Sequence, residues 1–129
     1  MKLTGRKIYQ GKVEGEALVT KDSISFYGGV DPETGIVVEK GHELEGVDTT
    51  DKILVFPLGK GSTVGSYVIY QMAKTGKGPK ALVLEECEAI VAVGAIIAEL
   101  PCVDKIDVSK IETGMNLVVD GENAVVEIK

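Results

Sequence analysis

Two short runs without a polar side chain, Ile53-Leu54-Val55-Phe56 and Ala81-Leu82-Val83-Leu84, limit this chain's fold more than anything else in it. A strand that is apolar on both faces must be covered on both sides, as in the middle of a parallel sheet. Each run is followed by a segment with helical character. After the first, Val64, Tyr67, Val68 and Met72 recur at spacings of three and four, which makes one apolar stripe over about Val64 to Ala73. Thr75-Gly76-Lys77-Gly78-Pro79 supplies the stop. After the second, Ala89 to Glu99 is apolar nearly all round and ends before Pro101, so it is expected to be deeply packed or covered by a partner. Glu85, Glu86 and Glu88 stand before it and suit the positive end of a helix. Strand, helix, strand, helix implies parallel pairing with helices over one face.

The flanks carry a different signal. Lys7-Ile8-Tyr9, Glu16-Ala17-Leu18-Val19 and Ile36-Val37-Val38 read as short strands separated by glycines. Asp31-Pro32-Glu33-Thr34-Gly35 reads as a turn. Near the other end, Met115 to Val119 and Asn123 to Ile128 flank Asp120-Gly121-Glu122, a strong hairpin pattern. These pieces supply a second β layer or a small barrel. The expected class is α/β with three layers, β/β/α, in one domain over residues 1–129.

A formal net charge of −6 argues against nucleic acid and anionic membranes as partners, since both select a basic face. The longest apolar run, Ala89 to Ala98, is far short of the ~20 residues that span a bilayer. The opening residues resemble no secretory leader, so a cytoplasmic protein with free thiols is expected. Cys87, Cys102 and the single histidine, His42, cannot make a four-cysteine zinc or iron–sulfur site, so no metal site is expected on this chain. Buried cysteines and a loop histidine are the plainer readings.

The candidate chemistry sits in Gly59-Lys60-Gly61-Ser62-Thr63-Val64-Gly65-Ser66, between the first apolar strand and its helix. The phosphate-cradling loop needs Lys and then Ser or Thr directly after its last glycine, but here Lys60 precedes Gly61. The dinucleotide pattern needs a third glycine where Val64 stands. The Gly-x-Ser-x-Gly elbow is missing too, because Lys60 and Val64 occupy its glycine positions. A glycine-bearing turn at a helix N-terminus survives, where Ser62 or Thr63 is a cap, an anion ligand or a reactive hydroxyl. A serine base would need amide donors or cations to stabilise its oxyanion. The turn supplies amides, and Lys60 is the nearby cation. Gly28-Gly29-Val30-Asp31 is the other loop that invites a ligand, since adjacent glycines allow close backbone approach.

Three ordered stretches resemble the small subunit of the aconitase X family. They are Gly11-Lys12-Val13-Glu14-Gly15-Glu16-Ala17-Leu18-Val19, Ser25 to Gly35, and Gly59 to Ser66. The likeness covers nearly the whole chain. It implies the swivelling β/β/α domain of the aconitase superfamily and a heterodimer with a large subunit carrying a 4Fe–4S cluster. It implies a hydro-lyase that dehydrates (R)-5-phosphomevalonate to trans-anhydromevalonate 5-phosphate in the archaeal mevalonate route to isoprenoids. It makes Ser62 the base that takes the proton. Gly61, Thr63, Lys60, Gly28, Gly29 and Asp31 become candidates for binding a small phosphorylated hydroxy acid. The alternatives are a hydroxyproline dehydratase of the same family and a non-catalytic anion-binding or interaction module.

Overall fold

The computed structural model describes residues 1–129. Ten strands and two long helices follow one another in chain order. The strands are β1 (Lys2–Thr4), β2 (Arg6–Tyr9), β3 (Lys12–Val19), β4 (Ile24–Ser25), β5 (Ile53–Phe56), β6 (Gly59–Lys60), β7 (Ala81–Leu84), β8 (Cys102–Asp104), β9 (Asn116–Asp120) and β10 (Val125–Ile128). The helices are α1 (Gly65–Thr75) and α2 (Ala89–Ala98).

Eight strands form one mixed sheet in the order β1-β10-β9-β3-β5-β7-β8-β2. The middle pairs, β3 to β5, β5 to β7 and β7 to β8, are parallel, and the rest are antiparallel. Strand β3 changes partners along its length. Lys12 to Glu16 pair with β9, whereas Ala17 to Val19 pair with β5. At the far ends, β1 and β2 are joined through Gly5 alone, although one pairs with β10 and the other with β8. A methyl built at Gly5 would overlap the Asp104 carbonyl oxygen, so only glycine lets the chain turn this corner. The sheet therefore folds over itself into two layers, and the helices make the third.

Alternation on β5 and β7 explains their unbroken apolar sequence. Ile53, Val55, Ala81 and Val83 point into the core between the β layers, with Leu117, Val119 and Val126 from the hairpin. Leu54, Phe56, Leu82 and Leu84 face the other way, into a core with Ile69, Met72, Val91 and Ala95 from the helices. All eight residues of β5 and β7 are buried. Asp104 is also fully buried. Its carboxylate receives Arg6 Nε at 2.9 Å, Arg6 Nη2 at 2.7 Å and the Cys87 amide at 2.8 Å. A buried carboxylate needs such donors, and here they fasten β2 to β8.

Several expectations are corrected in detail. Residues 36–38 form no strand; Ile36 and Val37 make only isolated bridges to Asp48 and Val30. The three glutamates do not act together at α2. Glu88 alone caps it, accepting from Ile90 N at 2.7 Å and Val91 N at 3.2 Å, while Glu86 pairs with Arg6 and Lys105. Helix α2 ends at Glu99, which takes the left-handed conformation (φ 54°), before Pro101 is reached. Helix α1 ends at Gly76 (φ 74°), as its glycine predicts.

Candidate active site

The site is assembled by the smallest pairing in the fold. Strands β4 and β6 form a two-stranded parallel ladder with Ile24 opposite Gly59 and Ser25 opposite Lys60. The two glycine-bearing loops leave this ladder side by side. After Ser25, residues Phe26–Gly29 form a kinked turn, with Tyr27 extended (φ −77°, ψ 116°) and Gly28 left-handed (φ 81°). After Lys60, Gly61 is left-handed as well (φ 93°). A methyl at Gly61 would overlap Ser25 Oγ, so this glycine is required by both its backbone angle and its neighbour.

Between the loops lies a recess of about 340 Å³, lined by Ser25, Tyr27, Gly28, Gly29, Glu39, Lys60 and Gly61. Four of the expected binding residues, Gly28, Gly29, Lys60 and Gly61, meet here. Glu39, Ser25 and Tyr27 were not legible as site residues. Glu39 Oε2 accepts from Lys60 Nζ at 3.1 Å, and the Val38 and Glu39 amides both donate to the Gly29 carbonyl. Lys60 is the only cation lining the recess, and its ammonium is engaged with Glu39 rather than with Ser62.

Ser62 is exposed at the mouth of the turn that enters α1. Its Oγ accepts the Val64 amide at 3.1 Å, and its carbonyl accepts the Gly65 amide at 2.9 Å. This is a local turn contact to the residue two positions on; Val64 is the helix's own N-cap and no side chain caps α1, so neither Ser62 nor Thr63 takes the expected capping role. The same amide and the α1 dipole stabilise negative charge on that oxygen. Thr63 faces a separate apolar groove with Val64, Tyr67, Ile90 and Val93. Asp31 also lies outside the recess that holds Lys60; its Oδ1 accepts the Glu33 amide at 2.9 Å, which is turn chemistry.

The other reactive side chains are structural. His42 is buried; its Nδ1 accepts the Leu44 amide at 3.0 Å, so Nε2 carries the proton donated to the Ser23 carbonyl at 3.0 Å. Both ring nitrogens are thereby committed to holding the loop. Cys87 and Cys102 are buried and free. A hydrogen bond to Cys87 and then burial push the Cys102 thiol up, which keeps it protonated and poor as a nucleophile or ligand. No three His, Cys, Asp or Glu side chains are grouped to hold a metal ion. The chain's own residues therefore do not fit an iron–sulfur cluster. No helix is long and apolar enough to cross a membrane.

Comparison with known proteins agrees with this fold. Residues 2–128 match the family model described as the aconitase X swivel domain. The phosphomevalonate dehydratase small subunit of Pyrococcus furiosus is 59% identical over 128 residues, covering 99% of this chain and 96% of that one. The crystal structure of Thermococcus kodakaraensis aconitase X, in its holo form, superposes with a TM-score of 0.99 at 56% identity, over 100% of this chain and 98% of that one. The 3-isopropylmalate dehydratase structure from Methanocaldococcus jannaschii, at 15% identity and a TM-score of 0.58 over 92% of this chain and 82% of that one, shares the fold alone. The three-layer architecture, the match over nearly every residue and the identity to these relatives together show that the chain belongs to the aconitase X swivel-domain family.

Proposed function

We propose that this chain is the small subunit of a dehydratase that removes water from (R)-5-phosphomevalonate, giving trans-anhydromevalonate 5-phosphate, and that Ser62 is its proton-abstracting base. Relatives named phosphomevalonate dehydratase small subunit, at 50–59% identity, support the reaction and the need for a large subunit. They also favour it over a hydroxyproline dehydratase. The observation that carries the residue assignment is the turn itself: an exposed hydroxyl, held by an amide at a helix N-terminus, next in sequence to a glycine-lined recess.

A serine hydroxyl is a weak acid, so its alkoxide needs stabilisation built in before reaction. The Val64 amide and the α1 dipole provide it at Ser62 Oγ. The proton removed lies on the carbon next to the substrate carboxylate. Gly28, Gly29 and Gly61 let backbone approach the substrate closely, and the Lys60 ammonium offers charge to one of its anionic groups by exchanging its Glu39 partner for the substrate. Thr63, in the adjacent apolar groove, and Asp31, committed to its turn, lie outside this recess and are given no contact with the substrate in this reading. His42 is not available to protonate the departing hydroxyl, since it is committed on both nitrogens. An iron–sulfur cluster supplies Lewis acidity for that departure, and in this reading it belongs to the large subunit of a cytoplasmic heterodimer, with the present chain acting as one swivelling unit.

The test is reconstitution. Purified chain mixed with its cluster-bearing large subunit should dehydrate (R)-5-phosphomevalonate, while either subunit alone should not. An assembled complex that dehydrates hydroxyproline and leaves phosphomevalonate untouched would overturn the substrate assignment.

A further inference from the structure

Helix α2 has the sequence Ala89-Ile90-Val91-Ala92-Val93-Gly94-Ala95-Ile96-Ile97-Ala98, without one charged or hydrogen-bonding side chain. A helix of this composition is normally buried all round. Here only Val91, Gly94 and Ala95 are buried, whereas Val93, Ile96 and Ile97 are 49%, 49% and 40% exposed. Across the helix pair, Val64 and Tyr67 of the α1 entry are 43% and 69% exposed. Helices α1 and α2 approach closely because Gly94 has no side chain. A methyl there would stand 2.7 Å from Ile69 Cδ1 and 3.2 Å from Ser66 Cα. The open sides of the two helices consequently form one groove of about 400 Å³. Its floor and walls include Thr63, Val64, Tyr67, Ile90, Val93 and Ile97.

We propose that this α1–α2 groove is the surface on which the large subunit seats, so that docking and completion of the active site are one event. The inference rests on the proposed function, and three observations select this occupant. First, a contiguous apolar face of this kind marks a protein interface. Second, the groove runs into the catalytic turn: Thr63 and Val64 line it, Ser62 immediately precedes them, and the Val64 amide is the donor to Ser62 Oγ. A partner that places its reacting group over Ser62 must cover this face as well. Third, a second copy seated here would cover Thr63 and Val64 beside Ser62 without bringing a group able to hold a cluster, so it would compete with the large subunit and not complete the site. As the partner closes, water is driven from the flank of the turn, which makes the Ser62 oxygen more basic and leaves the Val64 amide and the α1 dipole to stabilise its charge.

The test uses the full chain and the cluster-bearing large subunit. Val93→Cys adds the one exposed thiol to a chain whose native cysteines are buried. Its alkylation by iodoacetamide, read site by site by mass spectrometry, should slow at least about tenfold on adding the large subunit. Lys12→Cys, on β3 away from both helices, should be unaffected. Val93→Glu should weaken assembly about a hundredfold, because a charge would be buried without a partner. Circular dichroism of each variant alone establishes that it is folded. Equal alkylation of Cys at position 93 in the free chain and in the complex would overturn the proposal. So would protection that appears in the free chain through self-association. Protection at position 93 together with full turnover of Ser62→Ala would sink the base assignment and leave the docking surface standing.

Discussion

Replacing Gly61 by alanine perturbs the site where its two loops touch, and the structure sets the size of the effect. Gly61 holds φ at 93°, where a side chain costs about 1–2 kcal/mol. The new methyl would overlap Ser25 Oγ and lie 3.2 Å from Ser25 Cβ. To make room, the Ser25 hydroxyl must leave the Tyr27 carbonyl, which it now meets at 3.0 Å, forfeiting about 1 kcal/mol. Stiffening the unfolded chain returns roughly 0.5–1 kcal/mol. The net loss is about 2 kcal/mol. At roughly 2.1 cal/mol/K of unfolding entropy per residue over 129 residues, that lowers Tm by about 7 °C. Gly46→Ala is the control. It has a similar φ of 85° and nothing within 4 Å of the added methyl, so it should cost about half as much. Differential scanning calorimetry of Gly61→Ala, Ser25→Ala and the double variant then isolates the contact. The two substitutions should couple by about 1 kcal/mol, since Ser25→Ala has little left to lose once Gly61 is replaced. If Gly61→Ala melts like Gly46→Ala and the cycle is additive, the loop contact is not what the geometry implies. In the assembled complex Gly61→Ala should also raise KM, because the recess narrows.

Other perturbations separate structural from chemical roles. Gly94→Ala sets about 1 kcal/mol of helix propensity against 1–3 kcal/mol of overpacking on Ile69 and Ser66; the expected net is a loss of about 1 kcal/mol, partly restored by Ile69→Val, and denaturant melts would show it. His42→Ala should cost about 2–4 kcal/mol by stranding the Leu44 amide and the Ser23 carbonyl, yet leave kcat of the folded complex unchanged, whereas a large fall in kcat with intact assembly would return His42 to the site. The Thr20 hydroxyl and the Lys21 amide hold the Glu43 carboxyl below the usual range. A lowered folded pKa gives stability that is complete above the ordinary value of about 4.3 and is lost as pH falls through the lowered one. Glu43→Gln should therefore lower Tm at pH 7, where that stability is complete, and flatten the acid limb of a Tm-against-pH curve, so that the variant and native curves converge as pH falls through the lowered value.

Most of the architecture was legible because its signals are local. Unbroken apolar runs, helical spacing ended by glycine, and Asp120-Gly121 between β-rich stretches each specify an element from within. The Gly59–Ser66 turn was equally visible, but the helix cap expected of Ser62 or Thr63 is replaced by a Ser62 hydroxyl contact inside the turn. What stayed hidden depends on tertiary pairing. Glu39 and Lys60 lie 21 positions apart and meet only because β4 pairs with β6, a ladder too short to leave a sequence pattern. The corner at Gly5, which sends β1 and β2 into different layers, is set by the Asp104 backbone at the other end of the chain. Ile36 to Val38 misled because apolar β-branched residues serve a loop here, with Val37 packed into the core and its backbone tied to Gly46 and Val47 by isolated bonds and not by a strand ladder.

The central claim is that Ser62 takes the proton. It is tested most directly by incubating the assembled complex with product in deuterated water and following deuterium at the carbon next to the carboxylate, for the native chain and for Ser62→Ala. The native complex should hydrate the product and place deuterium there. Ser62→Ala, bound to the large subunit as tightly as the native chain, should lose that exchange by at least about a thousandfold, as expected when a proton-transferring group is removed. Exchange at the native rate in an assembled Ser62→Ala complex would contradict the account, and Ser62 would then be no more than the turn residue its hydrogen bond from Val64 already makes it.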